Sequence, residues 1–275
     1  MINYSIDQWL FFFYFYCVFG WCFESAYMSV CNKKLTNRGF MRGPYLPIYG
    51  AGGLMMMLIS IPSRSILYLF FAGAISATIL EFLTGTVMEA VFKASYWDYS
   101  DKKFNYKGII CPSSTIAWGV LTVIFMHFLY TPLERVMLSI PVNTMTIAVR
   151  VLTPIFLLDF AFSFSAAMSI RDILIRMEEL KSEALRLKKR LDVLQAFAGD
   201  TVKKGIGARA EAAKLELAAL NARREAIMES IDRMRRAGIE NIFGRGILRG
   251  NPTMKSIHFP QSLNDLREQL KNFRK

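Results

Sequence analysis

Five long apolar stretches in the first 168 residues limit what this chain can fold into more than any other feature. A helix needs roughly 20 mainly apolar residues to cross a bilayer core of ~30 Å. By this criterion, the predicted spans are residues 8–31, 45–61, 65–92, 109–130 and 144–168. The second begins among Pro44, Pro47 and three glycines, which favours a broken or re-entrant segment. The sequence therefore predicts an all-α, polytopic membrane helix bundle over residues 1–168.

The composition divides the chain into two parts. Hydrophobic residues make up 53% and charged residues 20%, which is too apolar for a soluble domain and too charged for a chain wholly within a membrane. Basic residues exceed acidic ones by three up to Met168 and by nine from Ser169 onward. This distribution excludes a secreted enzyme, a small disulfide-stabilised protein and a single soluble α/β domain. The four cysteines lie in or beside apolar stretches, and we interpret them as small apolar residues.

Basic residues in the short loops predict the orientation. The loops after the first and third spans carry eight Lys or Arg, whereas the alternate loops carry only Arg64 and Arg135. Cytoplasmic loops are enriched in Lys and Arg, so five spans place the N-terminus outside and the C-terminal region in the cytoplasm. We expect a multi-pass protein of the cell membrane whose first span is retained, because no small-residue cleavage site follows it.

After the last span the pattern changes to a heptad repeat, which is typical of a coiled-coil helix. A glycine-containing stretch, residues 199–207, is predicted to break this helix, and a second amphipathic segment is predicted to end at Gly238. Two arms of nearly equal length predict a cytoplasmic antiparallel αα-hairpin over residues 169–240. Formation of a homo-oligomer, or binding of a partner helix, through the same apolar seam is the alternative.

Residues 241–275 are predicted to form a basic tail that begins as a loop, because the segment contains three glycines and two prolines. Ser262 and Asp265 are spaced to cap a short amphipathic helix. Its apolar face would carry Leu263, Leu266, Leu270 and Phe273. This helix would lie on anionic lipid or dock on the hairpin, and the sequence favours neither arrangement.

Ionisable residues within the spans are the first candidates for a functional site, since a charge in the bilayer core is costly and usually faces a bundle interior or cavity. Glu24, Glu81, Glu89, Arg150 and Asp159 meet this condition. The predicted orientation places the three glutamates along a path from the middle of the membrane to the cytoplasmic side. They predict a carboxylate-lined, cytoplasm-facing pocket for a small solute or a cation.

The two basic loops supply further candidate pocket residues. Guanidinium groups there can pair with carboxylate or phosphate, and aromatic and amide side chains can anchor a solute. The loop candidates are Asn37, Arg38, Arg42, Trp97, Asp98, Tyr99 and Asn105. Equally, one of the two arginines would serve only to neutralise an intramembrane glutamate and hold the bundle together.

Catalytic signatures are missing from the sequence. It contains no P-loop, no Gly-x-Ser-x-Gly turn and no His-Glu-x-x-His motif, and the two histidines lack metal-ligand spacing. We therefore expect no catalytic residues, no metal, no cofactor and no nucleic-acid partner. An intramembrane enzyme acting on a lipid head group ranks last among the hypotheses, since no nucleophile with its base is recognisable.

Several unusual strings occur together in the first four predicted spans. They are Phe19-Gly20-Trp21 with Glu24, Asn37-Arg38-Gly39-Phe40 with Gly43-Pro44, Pro47-Ile48-Tyr49-Gly50, Glu81-Phe82-Leu83-Thr84-Gly85 with Glu89, Trp97-Asp98-Tyr99 with Phe104-Asn105 and Gly108, and Trp118-Gly119. In this order they resemble the CmpB-like family of type IV ABC-transporter permeases. The resemblance covers about half of the chain and does not extend to the predicted hairpin.

The resemblance implies a bacterial integral membrane protein that acts as a transporter permease. In the transport hypothesis, any ATPase is supplied by another chain, since this sequence has no P-loop. In the family pattern an Arg follows the glycine equivalent to Gly108, whereas this chain has Ile109. Arg38 or Arg42 would then neutralise a carboxylate in its place, or the pocket would be more acidic. A transport subunit is the leading hypothesis, and a membrane-anchored scaffold that recruits a partner through the hairpin is the alternative.

Overall fold

The computed structural model describes residues 4–31, 33–203, 207–240 and 242–272. These residues form α1 (Ile6–Cys31), α2 (Pro47–Ile59), α3 (Ile66–Phe92), α4 (Pro112–Ile124), a π-helical turn (Phe125–Leu129), α5 (Tyr130–Leu138), α6 (Val142–Lys203), α7 (Gly207–Glu240), α8 (Ile242–Gly250) and α9 (Pro260–Asn272). Among the described residues, β-structure is limited to two isolated β-bridges. The predicted all-α, polytopic helix bundle is confirmed.

The chain divides into two compact units. The first unit contains residues 1–168 and 243–258, and the second contains residues 169–242 and 259–275. Helix α6 supplies residues to both units.

Among the described residues, four helical stretches are long and apolar enough to cross a bilayer, one fewer than predicted. They begin at Ile6, Ile66, Pro112 and Val142. Helix α2 has only 13 residues, or about 20 Å at 1.5 Å per residue, and falls short of a full span.

Contacts between helices fix their directions. Thr146 donates a hydrogen bond to Asp7, and Tyr14 donates one to Thr153, so α1 and α6 run parallel. One apolar cluster joins the start of α1, the end of α2 and the start of α3. The chain must therefore return from the face where α1 ends to the face where α3 begins, and it does so through irregular segment 33–46 followed by α2.

The glycines at the start of the second apolar stretch belong to helix α2 and do not break it. A Cβ added to Gly50 would stand 2.4 Å from the sulfur of Cys17, and one added to Gly53 would stand 2.4 Å from the ring of Tyr16. Small residues let two membrane helices approach closely, and this is the reason for these glycines. The backbone N–H of Leu46 bonds to the carbonyl of Cys17, so α2 starts beside the middle of α1.

The return segment has an irregular backbone whose polar groups must be satisfied by protein if it lies at membrane depth. Ser25 Oγ accepts a hydrogen bond from the N–H of Arg38, and Asp159 Oδ2 accepts one from the N–H of Gly43. This contact gives the intramembrane Asp159 a structural role. The broken or re-entrant segment was predicted at the start of residues 45–61, but α2 is a continuous helix there, and the irregular backbone lies in residues 33–46.

A π-helical turn joins α4 to α5 within the membrane-spanning stretch Pro112–Leu138. Pro132 lacks an N–H, and its ring would clash with the carbonyl four residues earlier in a regular helix. A local π turn over Phe125–Leu129 accommodates this.

In the second unit, the apolar positions of α7, α9 and the C-terminal part of α6 are buried against one another. Fully buried examples are Leu174, Met177, Ile231, Leu263 and Leu266. Ion pairs join Glu183 to Arg223 and Arg190 to Glu216, so the two long helices run in opposite directions there.

The C-terminal part differs from the sequence predictions at four points. Residues 242–250 form helix α8 rather than a loop, because Ile247 and Leu248 are buried. Helix α6 continues past Gly199 to Lys203, and residues 204–206 of the predicted break lie outside the described part. Helix α7 runs past Gly238 to Glu240.

The fourth difference concerns the cap of the last helix. Helix α9 begins at Pro260, a residue suited to the first helical position, so Ser262 lies inside it and does not cap it. Ser262 instead donates a hydrogen bond to Glu178, and Asp265 pairs with Lys181 and Arg235. These contacts dock α9 within the second unit and cover its apolar face. Phe273, the last predicted residue of that face, lies outside the described residues.

Candidate functional site

Glu81 lies in the second half of α3 with its side chain buried in the first unit. Tyr99 donates a hydrogen bond to one carboxylate oxygen over 2.9 Å, and Ser114 donates one to the other over 2.7 Å. Ser114 stands in the first turn of α4, where the positive end of the helix dipole favours an anion. Both carboxylate oxygens of Glu81 therefore have a hydroxyl partner.

Glu24 lies beside this group on α1. Tyr49 of α2 donates a hydrogen bond of 2.7 Å to Glu24 Oε1, and Arg38 Nε stands 3.8 Å from Glu24 Oε2. Tyr49, which binds Glu24, lines the same cavity as Glu81. We call Glu24, Arg38, Tyr49, Glu81 and Tyr99 the carboxylate cluster.

The charge of the carboxylate cluster does not balance. Its two carboxylates face one guanidinium group, that of Arg38, which pairs with Glu24. Glu81 makes no ion pair with any residue in the described part of the chain. With all three groups ionised, the cluster holds one negative charge that no neighbouring side chain neutralises.

An apolar cavity of about 150 Å³ opens beside Glu81. Its walls include the rings of Tyr16, Tyr49, Trp118 and Phe125, and Glu81 is the acidic residue among its lining. Tyr49 and Trp118 lie with their ring centroids 5.8 Å apart. The π-helical turn contributes Phe125 and Leu129 to the cavity wall, so the distortion before Pro132 helps to shape it.

Most of the candidate residues in the loops make hydrogen bonds that stabilise the loops. Asn37 accepts a hydrogen bond from Trp21 over 2.5 Å and donates one to the backbone oxygen of Arg42 over 2.7 Å. Trp97 donates a hydrogen bond of 2.9 Å to the carbonyl of Ile109, which is buried. Arg42 is exposed.

Asp98 and Asn105 hold the loop between α3 and α4. Asn105 donates to the carbonyls of Ser100 and Lys102 and accepts from the N–H of Gly108, whose φ of +69° suits glycine. Burial raises the pKa of Asp98, but hydrogen bonds from Ser100 and the ammonium group of Lys255 outweigh it, so its pKa lies below the ordinary value. The role of these two side chains is to shape the loop that presents Tyr99 to Glu81.

A C-terminal segment that sequence reasoning missed docks on both loops. Asn251 is buried, accepts a hydrogen bond of 3.0 Å from Arg38 Nη1 and donates one of 2.8 Å to the carbonyl of Gly39. Ser95 and Lys255 exchange backbone hydrogen bonds of 2.7 and 2.9 Å. These contacts hold Arg38 at the cluster, and separations of 160 residues or more left no local signal for them.

Two further side chains were missed although their setting was visible. Ser114 follows Pro112, a residue that favours the first turn of a helix, and Trp118 stands one turn later. A polar residue at a helix start beside a predicted intramembrane glutamate is the signal that would have found Ser114.

Three of the intramembrane charges lie outside the carboxylate cluster. Glu89 is two turns beyond Glu81 on α3, is partly exposed and makes no side-chain hydrogen bond or ion pair with the residues described. Arg150 is exposed on α6, and Asp159 binds the return segment. The structure brings Glu24, Arg38, Glu81 and Tyr99 together, and Glu89 does not join them.

The position of Ile109 bears on the charge of the cluster. The resemblance implies an Arg at this position in relatives, whereas the side chain of Ile109 packs against Gly85, where an added Cβ would lie 2.5 Å from Ile109 Cγ2. Arg38 neutralises Glu24 from the other loop.

A family model described as "Putative ABC-transporter type IV" matches residues 11–164, more than half of the chain. The match covers every member of the carboxylate cluster and the loops that hold it. No curated protein and no solved structure matches the chain. The chain belongs to the family described as "Putative ABC-transporter type IV".

Proposed function

We propose that this chain is the membrane-embedded subunit of a transporter and that its carboxylate cluster binds a positively charged solute. The family supports the transporter role. The solute site is inferred from Glu81, whose carboxylate is buried among hydroxyl donors without a basic partner in the described part of the chain.

The proposal depends on Glu81, a buried acidic residue without a partner of opposite charge in the described part of the chain. A buried charge is costly, and its cost is usually met by an opposite charge close by. Arg38 meets this need for Glu24, so charge pairing alone accounts for that residue. The hydrogen bonds to Glu81 lower the cost of its charge but do not cancel the charge itself. A cationic solute that approaches Glu81 supplies the missing partner.

Two features support a pocket that faces the cytoplasm. The loops that carry Arg38 and Tyr99 lie at the face where α1 and α3 end, and these are the two loops rich in Lys and Arg. Because such loops are cytoplasmic by preference, solute would reach the cluster from that side. This orientation places the second unit in the cytoplasm of a multi-pass protein of the cell membrane.

Energy for transport would come from another chain. The sequence has no P-loop, so we propose that the chain performs no catalysis of its own and works with a separate ATPase subunit.

Affinity purification of the tagged, full-length protein from its native membranes tests this function. We expect a second subunit to co-purify in fixed proportion and the complex to hydrolyse ATP. The control is an unrelated tagged membrane protein expressed at the same level. A purified protein without any ATP-hydrolysing partner, at several detergent strengths, would contradict the transporter assignment.

The scaffold alternative has one observation in its favour. Leu185, Val193 and Leu215 are exposed on the second unit, with 56%, 54% and 71% of their surface accessible. Such residues can bind a partner helix or a second copy of the chain. Deleting residues 169–240 distinguishes the two functions. If the chain is a scaffold, the deletion should abolish partner binding, whereas substitutions in the carboxylate cluster should leave the partner bound.

A further inference from the structure

The cavity beside Glu81 has walls of an unusual kind for a site that handles a positive charge. Most of its lining is aromatic or aliphatic, and rings of Tyr16, Tyr49, Trp118 and Phe125 surround the space. Glu81 is the acidic group on this wall, and no group of three or more His, Cys, Asp or Glu side chains suited to a metal occurs among the described residues.

These walls discriminate among cations. Ca²⁺ and Mg²⁺ need about six or more oxygen ligands, which a cavity with one carboxylate does not provide. An organic ammonium ion needs far fewer, because the faces of Trp and Tyr rings attract a cation within about 6 Å, and one carboxylate balances its charge. The combination of Glu81 with Trp118 and Tyr49 therefore favours an organic cation over an inorganic one.

The size of the cavity limits the body of the ligand. A volume of about 150 Å³ is close to that of an apolar cavity known to hold benzene. The cavity thus accommodates one aromatic ring or a short branched alkyl group, with the charged nitrogen toward Glu81.

We propose that the ligand of this cavity is an organic monocation, an alkyl or aralkyl ammonium ion, bound between Glu81 and the rings of Trp118 and Tyr49. The inference rests on the proposed function and names the substrate class of the same site. Charge complementarity commits the cavity to this occupant, since the carboxylate cluster holds one carboxylate more than it holds guanidinium groups.

Binding of benzylammonium to the full-length protein in lipid nanodiscs tests the proposal by titration calorimetry. We expect saturable binding to the wild type and at least tenfold weaker binding to Glu81→Gln, because the amide keeps the shape and loses the charge. The matched control is Glu89→Gln, which removes a carboxylate from the same helix outside the cavity and should change affinity by less than twofold. Ethylbenzene, the neutral ligand of the same shape, is expected to stabilise the wild type thermally less than benzylammonium does at the same free concentration.

A second variant leaves the charge in place and fills the cavity. Gly52 lines the cavity, and a Cβ added there would find its nearest neighbour, Leu80, at 3.8 Å. Gly52→Leu should fold normally, because leucine favours a helix more than glycine does, and it should lose binding at least tenfold. This variant decides the matter even if Glu81→Gln does not fold.

Four results would overturn the proposal: no binding to the wild type, equal binding of the neutral ligand, unchanged affinity in a folded Glu81→Gln protein, or unchanged affinity in Gly52→Leu. Each of them leaves the transporter assignment intact if an ATPase still co-purifies. Conversely, ammonium binding by a protein that has no ATPase partner would contradict the transporter assignment and retain the ligand class.

Discussion

Replacing Asn251 with Ala should release the C-terminal segment from the two loops of the first unit. Asn251 accepts a hydrogen bond from the charged Arg38 and donates one to the carbonyl of Gly39. A hydrogen bond to a charged group contributes about 2 kcal/mol and a neutral one about 1 kcal/mol. Their loss lowers the free energy of undocking by about 3 kcal/mol, which is roughly a 100-fold change in the equilibrium.

Hydrogen exchange measures this undocking directly. The N–H groups of Ser95 and Lys255 bond to each other's carbonyls, so they exchange only when the segment leaves the loop. In the full-length Asn251→Ala protein we expect both amides to exchange roughly 100-fold faster, while amides in the middle of α3 keep the wild-type rate. Exchange at Ser95 and Lys255 within threefold of wild type would refute the role given to Asn251.

Two glycines of α8 provide matched controls for the same segment. A Cβ added to Gly246 meets nothing within 4 Å, so Gly246→Ala should leave exchange unchanged or slow it slightly. A Cβ added to Gly250 would lie 2.2 Å from the carbonyl oxygen of Asn37, so Gly250→Ala should accelerate exchange as Asn251→Ala does. Equal effects of the two alanine substitutions would contradict the docking geometry.

Two further predictions concern the loops. The folded pKa of Asp98 lies below its ordinary value, so its contribution to docking is complete above the ordinary Asp pKa and is lost as the pH falls through the folded value. In the wild type, exchange at Lys255 should therefore accelerate on acidification by more than the intrinsic pH effect on amide exchange. This additional acceleration should be absent in Asp98→Asn. For the orientation, a cysteine at Ser63 should react with an impermeant thiol reagent from outside intact cells, whereas one at Ser100 should not, and labelling in the reverse sense would overturn the proposed topology.

The sequence predicted four of the membrane helices well, because mean hydropathy over 20 residues measures a single quantity, the free energy of transfer from water to the bilayer. The sequence was less informative for α2, since glycine favours a break in the helix in one setting and close helix packing in another. Gly50 and Gly53 are there for close contact with α1, and only the partner helix reveals that role. The irregular part of the crossing lies earlier, in residues 33–46.

The candidate site shows a similar limit. Glu24 and Glu81 were found because ionisable residues are rare in apolar stretches, and Arg38 and Tyr99 because they stand in loops next to those stretches. Asn251 could not be found, since an asparagine in a glycine-rich segment has no local feature that indicates burial against Arg38. Ser262 was misassigned because the spacing of a capping box also occurs inside a helix that already begins at a proline.

The most direct test of the account compares ATP hydrolysis by the complex purified with wild-type protein and with Glu81→Gln. The amide preserves the shape, and the hydroxyl groups of Tyr99 and Ser114 can each donate or accept a hydrogen bond, so the variant should reach wild-type abundance and melt within a few degrees of wild type. If the carboxylate cluster is the solute site, hydrolysis by the Glu81→Gln complex should fall at least tenfold at equal amounts of complex, while Glu89→Gln should retain it. Normal abundance together with unchanged hydrolysis in Glu81→Gln would contradict the account and leave the scaffold alternative in front.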